Sequence, residues 1–212
     1  MCRFIVLQLT RVISVAALLA LSVPAFAQDW ATTPIVGGYA IDIPTNWKTK
    51  SQAYKEALDR TTRSKMQFLP QWRSKLVYAA QLLDQKGVQI GWVSVRTHPE
   101  YEKIQAVWNQ LTPRHYQLIY DQILAKVELN YSKLGLKVIE RIKPRTLKIG
   151  KYDSLLFEYR RKNPWGSTSL VRTLMVLNGK KSLGVTVSDD ERFPKLRPVT
   201  DHILTSIRDR AE

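Results

Sequence analysis

From residue 28 to its end the chain contains no cysteine. Whatever it folds into is therefore held by core burial, without a disulfide framework or a cysteine-bound metal. The chain is long enough for that, since a domain of ~150 residues already buries nearly 70% of its unfolded surface. The absence is informative because the first 27 residues have the layout of an export signal, and export leads to compartments that permit disulfides. Arg3 and Arg11 supply positive charge, residues 12–23 form a short apolar run, and Pro24-Ala25-Phe26-Ala27 closes it with small residues where a signal peptidase reads. Cleavage is expected after Ala27, which removes the only cysteine, Cys2. An uncleaved anchor is the alternative, although a run of about 12 apolar residues is short of the ~20 that span a bilayer as a helix. The expected location is periplasmic or secreted.

Charge narrows the range of partners. The chain has 33 basic and 18 acidic residues; two of the basic ones and no acid lie in the signal, which leaves +13 after residue 27. Such a field favours anionic partners such as lipid headgroups, acidic polysaccharide or an acidic protein face. Nucleic acid is not expected as a partner, because it is scarce outside the cytoplasm.

Patterning then gives the element order. Residues 28–36 read as a flexible start, and 39–43 alternate as a short strand closed by Pro44. Thr49 with Gln52 fits a capping box for a helix over 51–66. Two strand-like runs, 76–83 and 88–97, flank Asp84-Gln85-Lys86-Gly87 as a hairpin. Thr112-Pro113 opens the strongest helix, on which Tyr116, Ile119, Tyr120, Ile123, Val127, Tyr131 and Leu134 recur at helical spacing until Gly135. Short strands at 137–142 and 145–149 flank Pro144, longer ones follow at 152–162 and 168–177, and Asn178-Gly179 turns the chain into 182–187. Asp189 or Asp190 is placed to cap a last helix over 200–208. This order implies an α+β fold, an antiparallel sheet with flanking helices. The expected organisation is a signal peptide over 1–27, a flexible segment over 28–36 and one domain over 37–212, with a basic helical insertion near 48–75.

Gly-Tyr-Ala-Ile-Asp-Ile-Pro-Thr-Asn-Trp-Lys at 38–48 resembles the opening strand of the PsbP-like superfamily, in which an aromatic-containing strand runs into Pro-x-x-Trp. That superfamily takes in the extrinsic PsbP subunit of photosystem II, Mog-type proteins and periplasmic DcrB-type proteins. The 146–159 stretch is similar to a family hairpin, and Gly179 precedes a strand leading to a terminal helix, in the family's order. The resemblance implies a sheet with flanking helices and a role in binding other proteins, with no common catalytic set to carry over.

No motif supplies chemistry. His98, His115 and His202 are far apart, His98-Pro99-Glu100 lacks the downstream cysteines of a zinc deaminase, and no nucleophile elbow or phosphate-cradling glycine loop occurs. Neither a catalytic residue, a metal site nor a cofactor is expected. Two basic features suit binding instead. One is the 48–75 segment, in which eight cations, among them Arg60, Arg63 and Lys65, face only Glu56 and Asp59, with Trp72 beside them. The other is Arg160-Arg161-Lys162 running into Asn163-Pro164-Trp165-Gly166, where a loop-tip indole beside cations suits an interface. The expected function is a non-catalytic binding or assembly-factor protein of the cell envelope. It would dock through these surfaces onto an envelope protein or complex, or an anionic membrane surface. The alternative is a carrier of a small apolar ligand or lipid, in a pocket lined by Tyr116 and Tyr120.

Overall fold

The computed structural model describes residues 28–65, 74–97, 110–132, 134–177 and 183–210, with the backbone alone for 62–65 and 130. Ten strands and three helices occur among them. In chain order they are β1 Trp30–Ile35, β2 Tyr39–Pro44, β3 Lys48–Thr49, α1 Gln52–Lys65, β4 Lys75–Leu83, β5 Gln89–Thr97, α2 Pro113–Ser132, β6 Lys137–Ile149, β7 Tyr152–Lys162, β8 Thr168–Val176, β9 Leu183–Asp190, α3 Leu196–Thr205 and β10 Arg208–Asp209. A seven-stranded sheet runs β3-β4-β5-β9-β8-β7-β6, and a three-stranded sheet runs β1-β2-β10. Every pairing is antiparallel. The architecture is α+β.

The large sheet is covered on both faces, which explains why its central strands read as nearly unbroken apolar runs. Leu156 of β7 faces one core together with Val93, Val95, Leu174, Val185 and Val187. That core is closed by Ile41 and Ile43 of β2 and by Ile203 and Leu204 of α3. Leu155, Phe157 and Tyr159 point to the opposite face, where they meet Tyr120 and Leu124 of α2. Arg96 alternates with Val93 and Val95, and its guanidinium pairs with Asp59 of α1 at 2.9 Å. The helix α1 therefore lies on the same face of the sheet as α2.

Local signals account for most of the boundaries. Gly87 at φ +75° closes the β4–β5 turn, where the Asp84 carboxylate accepts the Lys86 and Val88 N–H groups, each at 2.8 Å. Thr112 caps α2 in an unforeseen way: its N–H donates to Nδ1 of His115 at 3.0 Å, so the imidazole acts as an acceptor in the first turn. Gly135 at φ +68° ends the helix, with the Leu136 N–H returning to the Tyr131 carbonyl at 3.0 Å.

Several expectations need correction. The segment expected to be flexible, 28–36, contains β1, whose six residues pair in unbroken register with β2. It escapes notice because its polar outward residues lack an apolar alternation of their own. The cap of α1 is Ser51, whose Oγ accepts the Tyr54 N–H at 3.2 Å, and Thr49 belongs to β3. The two short strands around Pro144 form one 13-residue strand, β6, with a register irregularity between Ile142 and Arg145. An edge strand tolerates proline because it has an N–H side with no ladder bond to lose. Asp189 and Asp190 cap no helix: both end β9, and α3 starts after Lys195 without a side-chain cap. The export signal, His98 and Asn178-Gly179 lie outside the described residues.

Trp47 is buried against β5. A Cβ added at Gly91 would stand 3.0 Å from two carbons of its indole, so this strand position is reserved for glycine by the ring behind it. Replacing Gly91 with Ala should therefore lower unfolding stability by about 1–3 kcal/mol. Urea titration followed by Trp fluorescence would measure it.

Candidate interaction surface

Register places several connections at one end of the seven-stranded sheet. The end of β7 meets the start of β6, with Lys162 opposite Lys137, and the start of β8 meets the end of β9, with Ser169 opposite Asp190. The β7–β8 tip, the turn leading into β6, the β4–β5 turn and the chain leaving β9 are thus neighbours along one rim.

The tip is built from its own residues upward. Gly166 at φ +88° permits the turn, and the Gly166 N–H donates to the Asn163 carbonyl at 2.9 Å. The buried Asn163 amide donates to the hydroxyls of Ser167 and Ser169 at 2.9 and 2.8 Å. Ser167 in turn donates to the Asp190 carboxylate at 2.7 Å. Asp190 also accepts the Arg192 guanidinium at 3.0 and 2.8 Å. Desolvation pushes the Asp190 carboxyl upward, but the hydrogen bonds from Arg192 and Ser167 outweigh it and hold it below the ordinary value of 3.8. The turn is thereby fixed from beneath, and Trp165 stands on it 50% exposed.

The four residues singled out at this hairpin have different fates. Arg160 sits between Glu191, at 2.7 Å, and Glu140, which compensate its charge. Arg161 lies over the Tyr131 ring at 5.3 Å and donates to its hydroxyl at 3.1 Å, which fastens α2 to β7. Lys162 and Trp165 are exposed. Sequence reasoning missed Lys137 and Ile139 (48% exposed), and it put Leu134 on the apolar face of α2, whereas Leu134 lies beyond the helix end and is 53% exposed; the α2–β6 turn brings all three to the same rim. The signal was present as Leu-Gly-Leu-Lys at 134–137, but only the pairing of β6 with β7 gives it a neighbour.

The second basic feature lies elsewhere. Arg60 is exposed on α1, while Asp59 beside it is turned inward to Arg96 and to the Leu76 N–H at 3.0 Å. Leu76 lies at the start of β4, so this part of α1 stands near the end of the sheet opposite Trp165. Arg63 and Lys65 follow on the same helix; their side chains and Trp72 lie outside what is described. The fold thus does not bring the two groups together. Lys50 rests over the Tyr54 ring, and desolvation lowers its pKa.

Tyr120, expected to line a ligand pocket, is 1% exposed and stacks on Phe157 at 5.7 Å. Its hydroxyl donates to the Glu158 carbonyl at 2.7 Å and accepts the Ile142 N–H at 3.1 Å, and burial pushes its pKa up to about 12. Its bonding capacity is used by the fold. Among the described residues no three His, Cys, Asp or Glu side chains converge as a metal site would require, and no helix is long and apolar enough to cross a membrane.

No protein-family model matches this sequence, and neither does any curated protein. Solved structures do. The solution structure of cyanobacterial PsbP (CyanoP) from Synechocystis sp. PCC 6803 superposes with a TM-score of 0.53 at 12% identity, covering 89% of this chain and 95% of that one. The fold is PsbP-like. A crystal structure from Bacteroides thetaiotaomicron matches with a TM-score of 0.45 at 10% identity, covering 87% of this chain, which spans about half (49%) of that protein. PA94 from Pseudomonas aeruginosa, a protein of unknown function, matches with a TM-score of 0.39 at 11% identity over 86% of this chain and 99% of its own. The PsbP-like resemblance of residues 38–48 corresponds to β2 and the Trp47 turn that follows it.

The bracing of the tip makes a stability prediction. Asp190→Asn should cost about 1–3 kcal/mol, because it removes a charge-assisted partner from Arg192 and Ser167. The Asp190 contribution is present above the unfolded carboxyl value and is lost as pH falls through the lower folded one. Thermal unfolding from pH 7 to 3 should accordingly show a shallower acid decline in the variant than in the parent.

Proposed function

We propose that this is a non-catalytic binding or assembly-factor protein of the cell envelope that docks through the Trp165 rim onto an anionic surface. One observation carries the reading. A half-exposed tryptophan is mounted on a turn fixed by a buried polar network, with the exposed cations Lys162 and Lys137 beside it. Burial of an aromatic of this size contributes strongly to binding, and a turn ordered in advance loses little entropy when it docks. The net charge of the chain supports an anionic partner. A PsbP-like fold hosts this role without requiring it. The α1 cations around Arg60 would be a separate, secondary contact.

The exposed rim can be tested without disturbing the core. Trp165→Ala together with Lys162→Glu should reduce salt-sensitive association with isolated envelope fractions by about tenfold or more, with the unfolding midpoint unchanged. Arg60→Glu should have a smaller effect. Association equal to the parent in the double variant would overturn the reading.

A further inference from the structure

Lys137 and Lys162 are direct cross-strand partners on β6 and β7, so their side chains leave the same face of the sheet about 5 Å apart at Cβ. Like charges so placed repel, and neither forms an ion pair among the described residues. The acids of this rim are engaged elsewhere. Glu140 and Glu191 hold Arg160, Asp190 holds Arg192, and Asp84 accepts backbone N–H groups. The pair is an unbalanced positive site that an anion with several oxygens would relieve. On either side of it, Leu134 and Trp165 project from separate turns, each about half exposed.

We infer that this rim docks end-on to an anionic lipid bilayer, with Lys137 and Lys162 on headgroup phosphates and Trp165 and Leu134 in the interfacial layer. The inference rests on the docking reading above and names its partner. Two observations favour a bilayer over an acidic protein face. The apolar side chains stand on separate turns with lysines between them, whereas protein hot spots gather in one packed centre. A tryptophan with neighbouring lysines also suits the headgroup layer, where the indole has one apolar and one wet side and lysine stems bury while their ammonium groups reach phosphate.

The test uses protein purified from the exported fraction, with vesicles of phosphatidylglycerol and phosphatidylcholine against vesicles of phosphatidylcholine alone. Co-sedimentation should occur with the anionic vesicles and fall with rising salt. Each of Lys137→Ala and Lys162→Ala should weaken it about fivefold. Trp165→Ala should weaken it about tenfold, and brominated lipids should quench the parent more than Trp165→Phe. Absence of binding to anionic vesicles, or binding that these variants leave unchanged, would overturn the inference. A photo-crosslinking residue at position 165 in intact cells then separates the two readings. A discrete protein adduct would keep docking and replace the bilayer by a protein, whereas neither vesicle binding nor an adduct would remove both.

Discussion

Two adjacent carboxylates at the end of β9 hold this architecture together at the rim that carries Trp165. Because neighbouring strand residues point to opposite faces, Asp189 and Asp190 serve different layers. Asp189 accepts Arg172 at 3.1 Å, Arg197 at 2.9 Å and the Thr200 hydroxyl at 2.9 Å, which ties α3 down over the sheet. Asp190 takes Ser167 and Arg192, which fixes the hairpin tip. Both carboxylates are almost fully buried, so each would carry a large desolvation cost if left unpaired. Several charge-assisted hydrogen bonds to each offset it. The rim that presents Trp165 and the helix that closes the larger core are thus fastened at one point in the sequence.

The same pair marks where reading the sequence succeeds and fails. Glycine-bearing turns were legible because their cause is local: Gly87, Gly135 and Gly166 all have positive φ where a turn or helix end was expected. The strands of the central sheet were legible from apolar runs bounded by those turns. The pairing of β10 with β2 was not, because it joins segments more than 160 residues apart and β10 has only two residues. Asp189 and Asp190 looked like helix caps because acidic residues often cap a helix that follows them; the Arg172, Arg197 and Thr200 partners of Asp189 lie on β8 and α3, and Asp190 is held by the nearby Arg192 and by Ser167 of the hairpin tip.

The candidate site follows the same rule. That Trp165 stands on a tight turn could be read from Asn-Pro-Trp-Gly, since the turn is local. That Arg160 and Arg161 are engaged could not, because Glu140, Glu191 and Tyr131 reach them only through sheet pairing and helix packing. A run of three cations in sequence becomes one ion-pair hub, one helix clamp and one exposed lysine. Alternation along a strand divides such a run between two faces, so consecutive charges rarely form one patch.

The small sheet has a consequence for how the chain is made. Strand β2 is flanked by β1, near the start of the described chain, and by β10, near its end, with Arg208 bridging Asp42 and Thr32 across all three. Closing that sheet requires residues 208–209 to be available, and it places a loop of more than 160 residues between the contacts. Loop-closure entropy makes such a contact late and slow to form. During synthesis β2 therefore has one finished neighbour, β1, and one missing, and the layer covering the larger core stays incomplete until β10 has emerged.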